Sequence, residues 1–287
     1  MKGDRLADIR TAGVVVLYRP DSSVLDAVAS YRHQVHELIV VDNSEEQDHE
    51  LHSRLRDRFG ATIVGEGRNL GIAAALNRAA REALAEGFDL LLTMDQDSRA
   101  EPGMVEQMLA CLGSDWRDRV GIVAPFHLTG ARPAPGGTTP CSDVMTPMTS
   151  GCLVNLAAFR ETGPFRDDFF IDFVDNEYCL RLRKKGFQVI RANRALLHHR
   201  VGDLRRYGPF VATHHSPLRR YYKTRNRCAV FAEYLRDFPA HCLFDLVRLG
   251  KEVASILIFE REKTAKLRMM WRGFLDFRRG RFGPYGG

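Results

Sequence analysis

Asp95 and Asp97 stand one residue apart in the 287-residue chain, directly after an apolar run at 89–94 (DLLLTM). Residues i and i+2 of extended chain point the same way, so both carboxylates face one cavity. Two hard oxygen donors at a strand end suit Mg2+ or Mn2+ shared with a diphosphate. The competing use is a turn in which both acids cap the following segment. Asp42 closes a second run, IVVD, ahead of Asn43. A carboxylate there can accept the imide N–H of uracil or thymine, or cap a helix beginning near residue 45. Arg68, Asn69, Leu70 and Gly71 precede an Ala-rich helical stretch that contains Asn77. Gly71 permits close backbone approach and a helix N-terminus favours a phosphate; the small residues equally suit tight helix–sheet packing.

A third group lies at 169–181, FFIDFVDNEYCLR, where Asp172, Asp175 and Glu177 sit among aromatics. A carboxylate with apolar neighbours can have a raised pKa and act as a general base. The alternative is an ordinary helix start, where acids are favoured. Further on, His198 and His199 end an apolar stretch. One of them at a strand end could complete a metal shell, or both could be polar surface.

These groups need a scaffold. Runs at 12–17, 37–42, 61–64 and 89–94 are nearly all apolar, as strands covered on both faces are. Between them, 22–33, 45–59 and 71–86 have helical spacing. The alternation predicts parallel crossovers and a doubly wound, mostly parallel α/β sheet. Ligands of such sheets bind outside the carboxyl ends of the strands. Tyr18-Arg19-Pro20, Asp42-Asn43-Ser44, residues 65–69 and the Asp95–Asp97 pair occupy those ends. Residues 129–140 read as a loop, 175–186 as a short helix, 187–190 as a strand, and 216 to about 279 as helical. The expected division is a catalytic domain at 1–215 and a basic helical region at 216–287.

The formal charge is +6, from 42 basic and 36 acidic residues, with 45% hydrophobic residues. Residues 1–203 carry 24 basic and 29 acidic groups, while 204–287 carry 18 and 7. A uniformly basic nucleic-acid binder is thereby excluded, and the last quarter is suited to a polyanionic surface. The apolar stretch at 253–259 is too short to span a bilayer, and MKGDRLADIR lacks the apolar core of a signal peptide. Six cysteines without a CxxC pair predict reduced, mostly buried thiols, with no zinc site or disulfide scaffold. A cytoplasmic protein is expected, with peripheral contact at the inner face of the membrane as an option. Leu243, Leu246, Val247, Gly250, Val253, Ala254 and Leu257 repeat at helical spacing, followed by Leu267, Met270, Trp271 and Phe274 among basic residues. Such helices suit the headgroup region of an anionic membrane; the alternatives are packing on the catalytic domain or against a second copy in a homodimer.

In order, LYRPD (17–21), VVDN (40–43), NLGIAAALN (69–77), MDQDS (94–98), TSG (149–151), FVDNEYCLR (173–181) and HHRVGD (198–203) resemble glycosyltransferase family 2, inverting enzymes of the GT-A fold. SPLRRYYKTRN (216–226) is similar to the rhamnosyltransferase branch, which uses dTDP-L-rhamnose to build O-antigens and related polysaccharides. The resemblance implies that Asp42 reads the pyrimidine beside Tyr18, Arg19 and Asn43, with Asn69, Gly71 and Asn77 on the nucleotide side. It implies that Asp97 holds the metal, with Asp95 on the ribose or the metal, and that His199 fits the family's H-x-V-G spacing. Asp175 takes the place of the general base, although Val174 stands where the family commonly has a preceding acid; Asp172 is the fallback. Arg220, Tyr221, Tyr222, Arg225 and Asn226 are implied to close over the diphosphate or dock the acceptor, against ordinary helix packing. The acceptor is implied to be a saccharide, commonly lipid-linked. UDP-galactofuranose or UDP-N-acetylglucosamine would use the same metal and base. A sugar nucleotidyltransferase is the different-class alternative, but its Gly-rich basic loop is replaced here by LYRPDSS. No G-x-G-x-x-G follows the first strand, which argues against a dehydrogenase.

Overall fold

The computed structural model describes residues 8–129, 139–199, 205–207 and 210–286. Arg200, Val201, Gly202 and Asp203 of the HHRVGD motif, and most of the expected loop at 129–140, lie outside them. Two units are formed: Met1–Asp167 with Tyr178–Arg200, and Asp168–Glu177 with Val201–Gly287. The linear division at residue 215 leaves Asp168–Glu177 in the first part; its packing groups it with the C-terminal helices.

The first unit begins β1 (Thr11–Leu17), α1 (Val24–Tyr31), β2 (Glu37–Asp42), α2 (His49–Phe59), β3 (Thr62–Gly65), α3 (Ile72–Ala85) and β4 (Leu90–Asp95). β1 is buried along its whole length, as a central strand covered by helices must be. β2 and β4 pair with β1 in parallel on either side, and β3 with β2. Register then fixes the site: Leu17 lies opposite Asp42, Val16 opposite Asp95, and Asp42 opposite Gly65. The carboxyl ends of four strands therefore meet along one edge. Helix ends are set locally, as in α2, where the Asp48 carboxylate accepts the Leu51 amide at 2.9 Å and Gly60 closes the helix at φ 62°.

Then follow β5 (Arg99–Ala100), α4 (Met104–Leu109), α5 (Trp116–Arg119), β6 (Val120–Leu128), β7 (Cys141–Asp143), β8 (Cys152–Asn155), α6 (Leu156–Thr162), α7 (Val174–Lys184) and β9 (Gln188–His198). Among the described residues the sheet order is β3-β2-β1-β4-β8-β6-β9-β5, with β7 also on β9. β6 and β9 are parallel; β8, β5 and β7 join antiparallel. The α/β expectation holds, with antiparallel additions after β4. One expectation fails: Cys111 and Cys141 form a disulfide, while Cys152, Cys179, Cys228 and Cys242 stay thiols. The pair is 30 residues apart in sequence, and β7, which begins at Cys141, pairs with β9 rather than with a strand near Cys111. Spacing could not reveal that contact, and the reduced-thiol argument for a cytoplasmic setting goes with it.

The second unit comprises β10 (Arg205–Tyr207), β11 (Phe210–Ala212), α8 (Pro217–Tyr234), α9 (Pro239–Phe259) and α10 (Lys263–Arg278). α10 approaches α8 so closely that a β-carbon on Gly273 would lie 2.4 Å from the Tyr221 carbonyl oxygen. Among the described residues no helix is long and apolar enough to cross a membrane.

Candidate active site

After β4 the chain turns into the two-residue strand β5, whose Arg99 lies opposite His198 of β9. That pairing brings His199, one residue past β9, beside the turn that holds Asp95 and Asp97. Ligand atoms of Asp95, Asp97 and His199 lie within 4.8 Å of one another. His199 Nδ1 is 2.8 Å from the Ser98 hydroxyl, which accepts from Ser150 Oγ at 2.9 Å. The Asp95 amide donates to the same Ser150 oxygen at 3.1 Å. The same His199 Nδ1 lies 3.8 Å from Asp95 Oδ2. His198 points elsewhere and bonds Glu101 at 2.5 Å, because successive residues of a strand face opposite ways. Two carboxylates and an imidazole suit a divalent cation such as Mg2+ or Mn2+.

Sequence reasoning passed over the supports of this cluster. His127 donates its Nε2–H to the Ser150 carbonyl at 2.7 Å and meets the His199 ring edge-on at 6.0 Å. Burial pushes the His127 imidazolium down to about 4; the Ser150 carbonyl opposes this, while His199 and Arg191 reinforce it. Gln96, between the two aspartates, accepts the Tyr18 amide at 2.8 Å and so ties the end of β1 to the end of β4. Arg19, at φ 47°, donates its amide to Ser44 Oγ at 2.8 Å.

Asp42 is buried, with Oδ1 on the Ser44 amide at 2.9 Å and Oδ2 2.7 Å from His52 Nε2. It caps no helix, since Asp48 fills that role for α2. Asn43 and Asn69 interlock: Asn43 Nδ2 donates to Asn69 Oδ1 at 3.1 Å, while the Leu70 and Gly71 amides donate to Asn43 and Asn69 at 3.0 and 2.9 Å. Gly71, at φ 86°, begins α3. Asp42, Asn43, Gly65, Arg68 and Arg78 line a cavity of about 290 Å3. Asn77 is not brought to it, because its amide bonds both backbone groups of Phe165 at 2.8 Å.

In the second unit, Asp175 sits in the first turn of α7, where Oδ1 accepts the Asn176 amide at 2.8 Å. The preceding segment is strained, with Phe170, Asp172 and Phe173 at φ 64°, 63° and 65°. α8 holds it: Asn226 Nδ2 donates to the carbonyls of Phe169, Ile171 and Asp172 at 3.0, 2.9 and 2.9 Å. Arg225 donates to Phe169 and Asp168 at 3.0 and 3.1 Å, and to Gly283 at 2.7 Å. Tyr221 is buried and donates to Asp276 at 3.0 Å. Arg225 and Tyr221, implied as diphosphate contacts, thus spend their donors inside this unit, and Arg220 bonds Glu252 and Glu260. Asp172 is held by Arg219 at 3.1 Å, and Glu177 accepts the buried Tyr234 hydroxyl at 2.8 Å.

A mixed sheet gathers acids at its carboxyl edge, with an Asp-Asp-His cluster after β4 and β9 and a cavity lined by Asp42 after β2. Residues 14–147 match the glycosyl transferase family 2 model. A relative, the dTDP-rhamnosyl transferase RfbF of Shigella flexneri, is 29% identical over 237 residues, 74% of this chain and 77% of its own. Among solved structures, GalNAc-T7 with UDP, GalNAc and Mn2+ superposes at a TM-score of 0.62 and 12% identity, covering 82% of this chain but only 49% of that one. TarS 1–349 of S. aureus, in complex with UDP-GlcNAc, gives 0.60 and 13% over 95% of this chain and 82% of that one. These likenesses establish the GT-A type of fold, and the chain is a glycosyltransferase.

Proposed function

We propose that the protein transfers L-rhamnose with inversion from dTDP-β-L-rhamnose to a saccharide acceptor, lipid-linked, in cell-surface polysaccharide synthesis. The observation that carries the chemistry is the Asp95–Asp97–His199 cluster at the carboxyl edge of the sheet. The donor assignment is supported by the relative named as a dTDP-rhamnosyl transferase. Asp95, Asp97 and His199 would hold a Mg2+ or Mn2+ ion, which neutralises charge developing on the diphosphate leaving group. Ser98, Ser150 and His127 keep the imidazole and the Asp95 backbone in place for that task. Asp42 accepts a hydrogen bond from the thymine imide N–H, and the Asn43–Asn69 lock shapes the wall of its cavity. Asp175 takes the acceptor hydroxyl proton as the new bond forms. One base and no covalent nucleophile give a single displacement, hence an α-L-rhamnoside from a β-L donor. A lipid-linked acceptor is supported by α9, where Leu243, Phe244, Val247 and Ile258 are each more than half exposed. UDP-sugar transfer is the second reading, favoured by the solved neighbour that binds UDP-GlcNAc.

Calorimetry with Mg2+ across dTDP-rhamnose, UDP-glucose, UDP-N-acetylglucosamine and GDP-mannose is the test, with tightest binding expected for dTDP-rhamnose. Preference for another donor overturns the sugar assignment. Asp175→Asn is expected to bind donor normally and lose turnover by about 100-fold or more. Full transfer in excess EDTA would remove the metal from the scheme.

A further inference from the structure

A second cavity, of about 380 Å3, lies wholly within the C-terminal unit. Its wall includes Arg220, Lys223 and Arg227 of α8, Arg248 and Lys251 of α9, and the carboxylates Asp172, Asp245, Glu252 and the proposed base Asp175. Glu252 sits among the cations, bonded by Arg220, by Lys223 at 3.1 Å and by Arg227 at 3.0 Å. Burial raises the Glu252 pKa, but Lys223, Arg227 and Arg220 outweigh it and hold the group at about 2. Glu252 shares these cations with Glu260, which bonds Arg220 at 2.8 Å, and with Asp245, which bonds Arg227.

Arg227 spends Nε on Asp245 at 2.9 Å and Nη2 on Glu252, yet its Nη1 is buried with no hydrogen-bond partner. Only 6% of that side chain is exposed. A buried N–H without an acceptor is unfavourable, and a ligand oxygen would supply the missing partner. At the mouth, Arg248 lies over the Phe244 ring at 4.7 Å, Lys251 is exposed, and neither has an ion pair among the described residues. Guanidinium forks and ammonium groups converging on one cavity recognise phosphate oxygens. The opposite side of α9 carries the exposed Leu243, Leu246, Val247, Leu257 and Ile258, at helical spacing.

We infer that this cavity is the acceptor subsite and binds the phosphate oxygens of a lipid-linked diphosphate saccharide, whose lipid lies along the apolar face of α9. The inference rests on the transferase reading for its second substrate. It explains why a general base shares a wall with unpaired cations: the anion anchors the acceptor on the same surface that receives its hydroxyl proton.

Farnesyl diphosphate, titrated calorimetrically into the full chain in excess EDTA without nucleotide sugar, probes the subsite apart from the metal cluster. Wild type and Asp97→Asn are expected to bind it alike, and the exposed-site variant Arg248→Ala/Lys251→Ala about tenfold more weakly. Farnesol is expected to show no such difference. Co-sedimentation with phosphatidylglycerol vesicles separates acceptor phosphate from bilayer phosphate, and should be equal for wild type and the double variant. Equal farnesyl diphosphate affinity in both proteins overturns the subsite, as does a loss confined to vesicles. A wrong donor assignment would appear in the sugar-nucleotide titrations and leave this result unchanged.

Discussion

With one oxygen on the Ser44 amide and the other on His52, the Asp42 carboxylate is oriented from two sides. His52 belongs to α2 and is itself buried, so it acts on a nucleotide only through Asp42. His52→Ala is expected to weaken TDP binding about tenfold and to erode the preference for pyrimidine over purine diphosphates. His52→Gln, which keeps a donor amide, should restore most of both. A merely structural histidine would lower stability and leave that preference intact, so an unchanged TDP-to-GDP affinity ratio in His52→Ala sinks the role. The residues proposed to face ligand were legible because strand ends display them: Asp42, Asp95 and Asp97 all follow apolar runs. Their supports were not, since Ser98 meets His199 across 101 residues and Ser150 across 52. Nothing local in a sequence marks such partners.

At the scale of elements, α8 is a clamp for the segment that carries the proposed base. Three left-handed, non-glycine residues between 170 and 173 cost roughly 1–3 kcal/mol each, and the Asn226 amide and Arg225 guanidinium hold their carbonyls in place. Asn226→Ala leaves up to three carbonyls short of a donor, and a loss of about 2–3 kcal/mol in stability is expected from chemical denaturation. If the clamp also positions Asp175, kcat should fall while donor affinity stays near wild type. A kcat equal to wild type would reduce Asn226 to a stabilising role. The helical pattern predicted α8 itself, but the motif at 216–226 was expected to face the diphosphate. Arg225 and Asn226 turn inward because the loop needs donors that its own backbone cannot supply, and Tyr221 turns to Asp276 of α10. β9 shows the complementary failure: only 187–190 reads as a strand, yet β9 reaches His198. Arg191, Asn193 and Arg194 interrupt the apolar run, and pairing with β6 and β7 carries the strand through them.

For the molecule as a whole, the excess of basic over acidic groups after residue 203 sets a dependence on pH. His215 is pushed down to about 4, first by burial and then by Arg219 and Lys223, with Asp172 opposing and Arg220 adding to the effect. Its ordinary value is 6.5, so the unfolded chain takes up that proton first. The neutral folded imidazole therefore favours folding above pH 6.5, and the advantage is lost as pH falls toward 4. Glu252 has the same sign in a lower window: its group is held at about 2 against an ordinary 4.5, so its contribution disappears between those values. Thermal melts should therefore show a Tm that is level near neutrality, begins to fall near pH 6.5 and steepens below 4.5. His127 is held at about 4 as well, so His215→Asn should lessen the fall that begins near pH 6.5 without abolishing it. Burial is the main cause of the His215 shift and the neighbouring cations add to it, whereas at Glu252 the cations Lys223, Arg227 and Arg220 outweigh burial. A fall between pH 6.5 and 4.5 as steep in His215→Asn as in wild type would assign the acid loss to other groups.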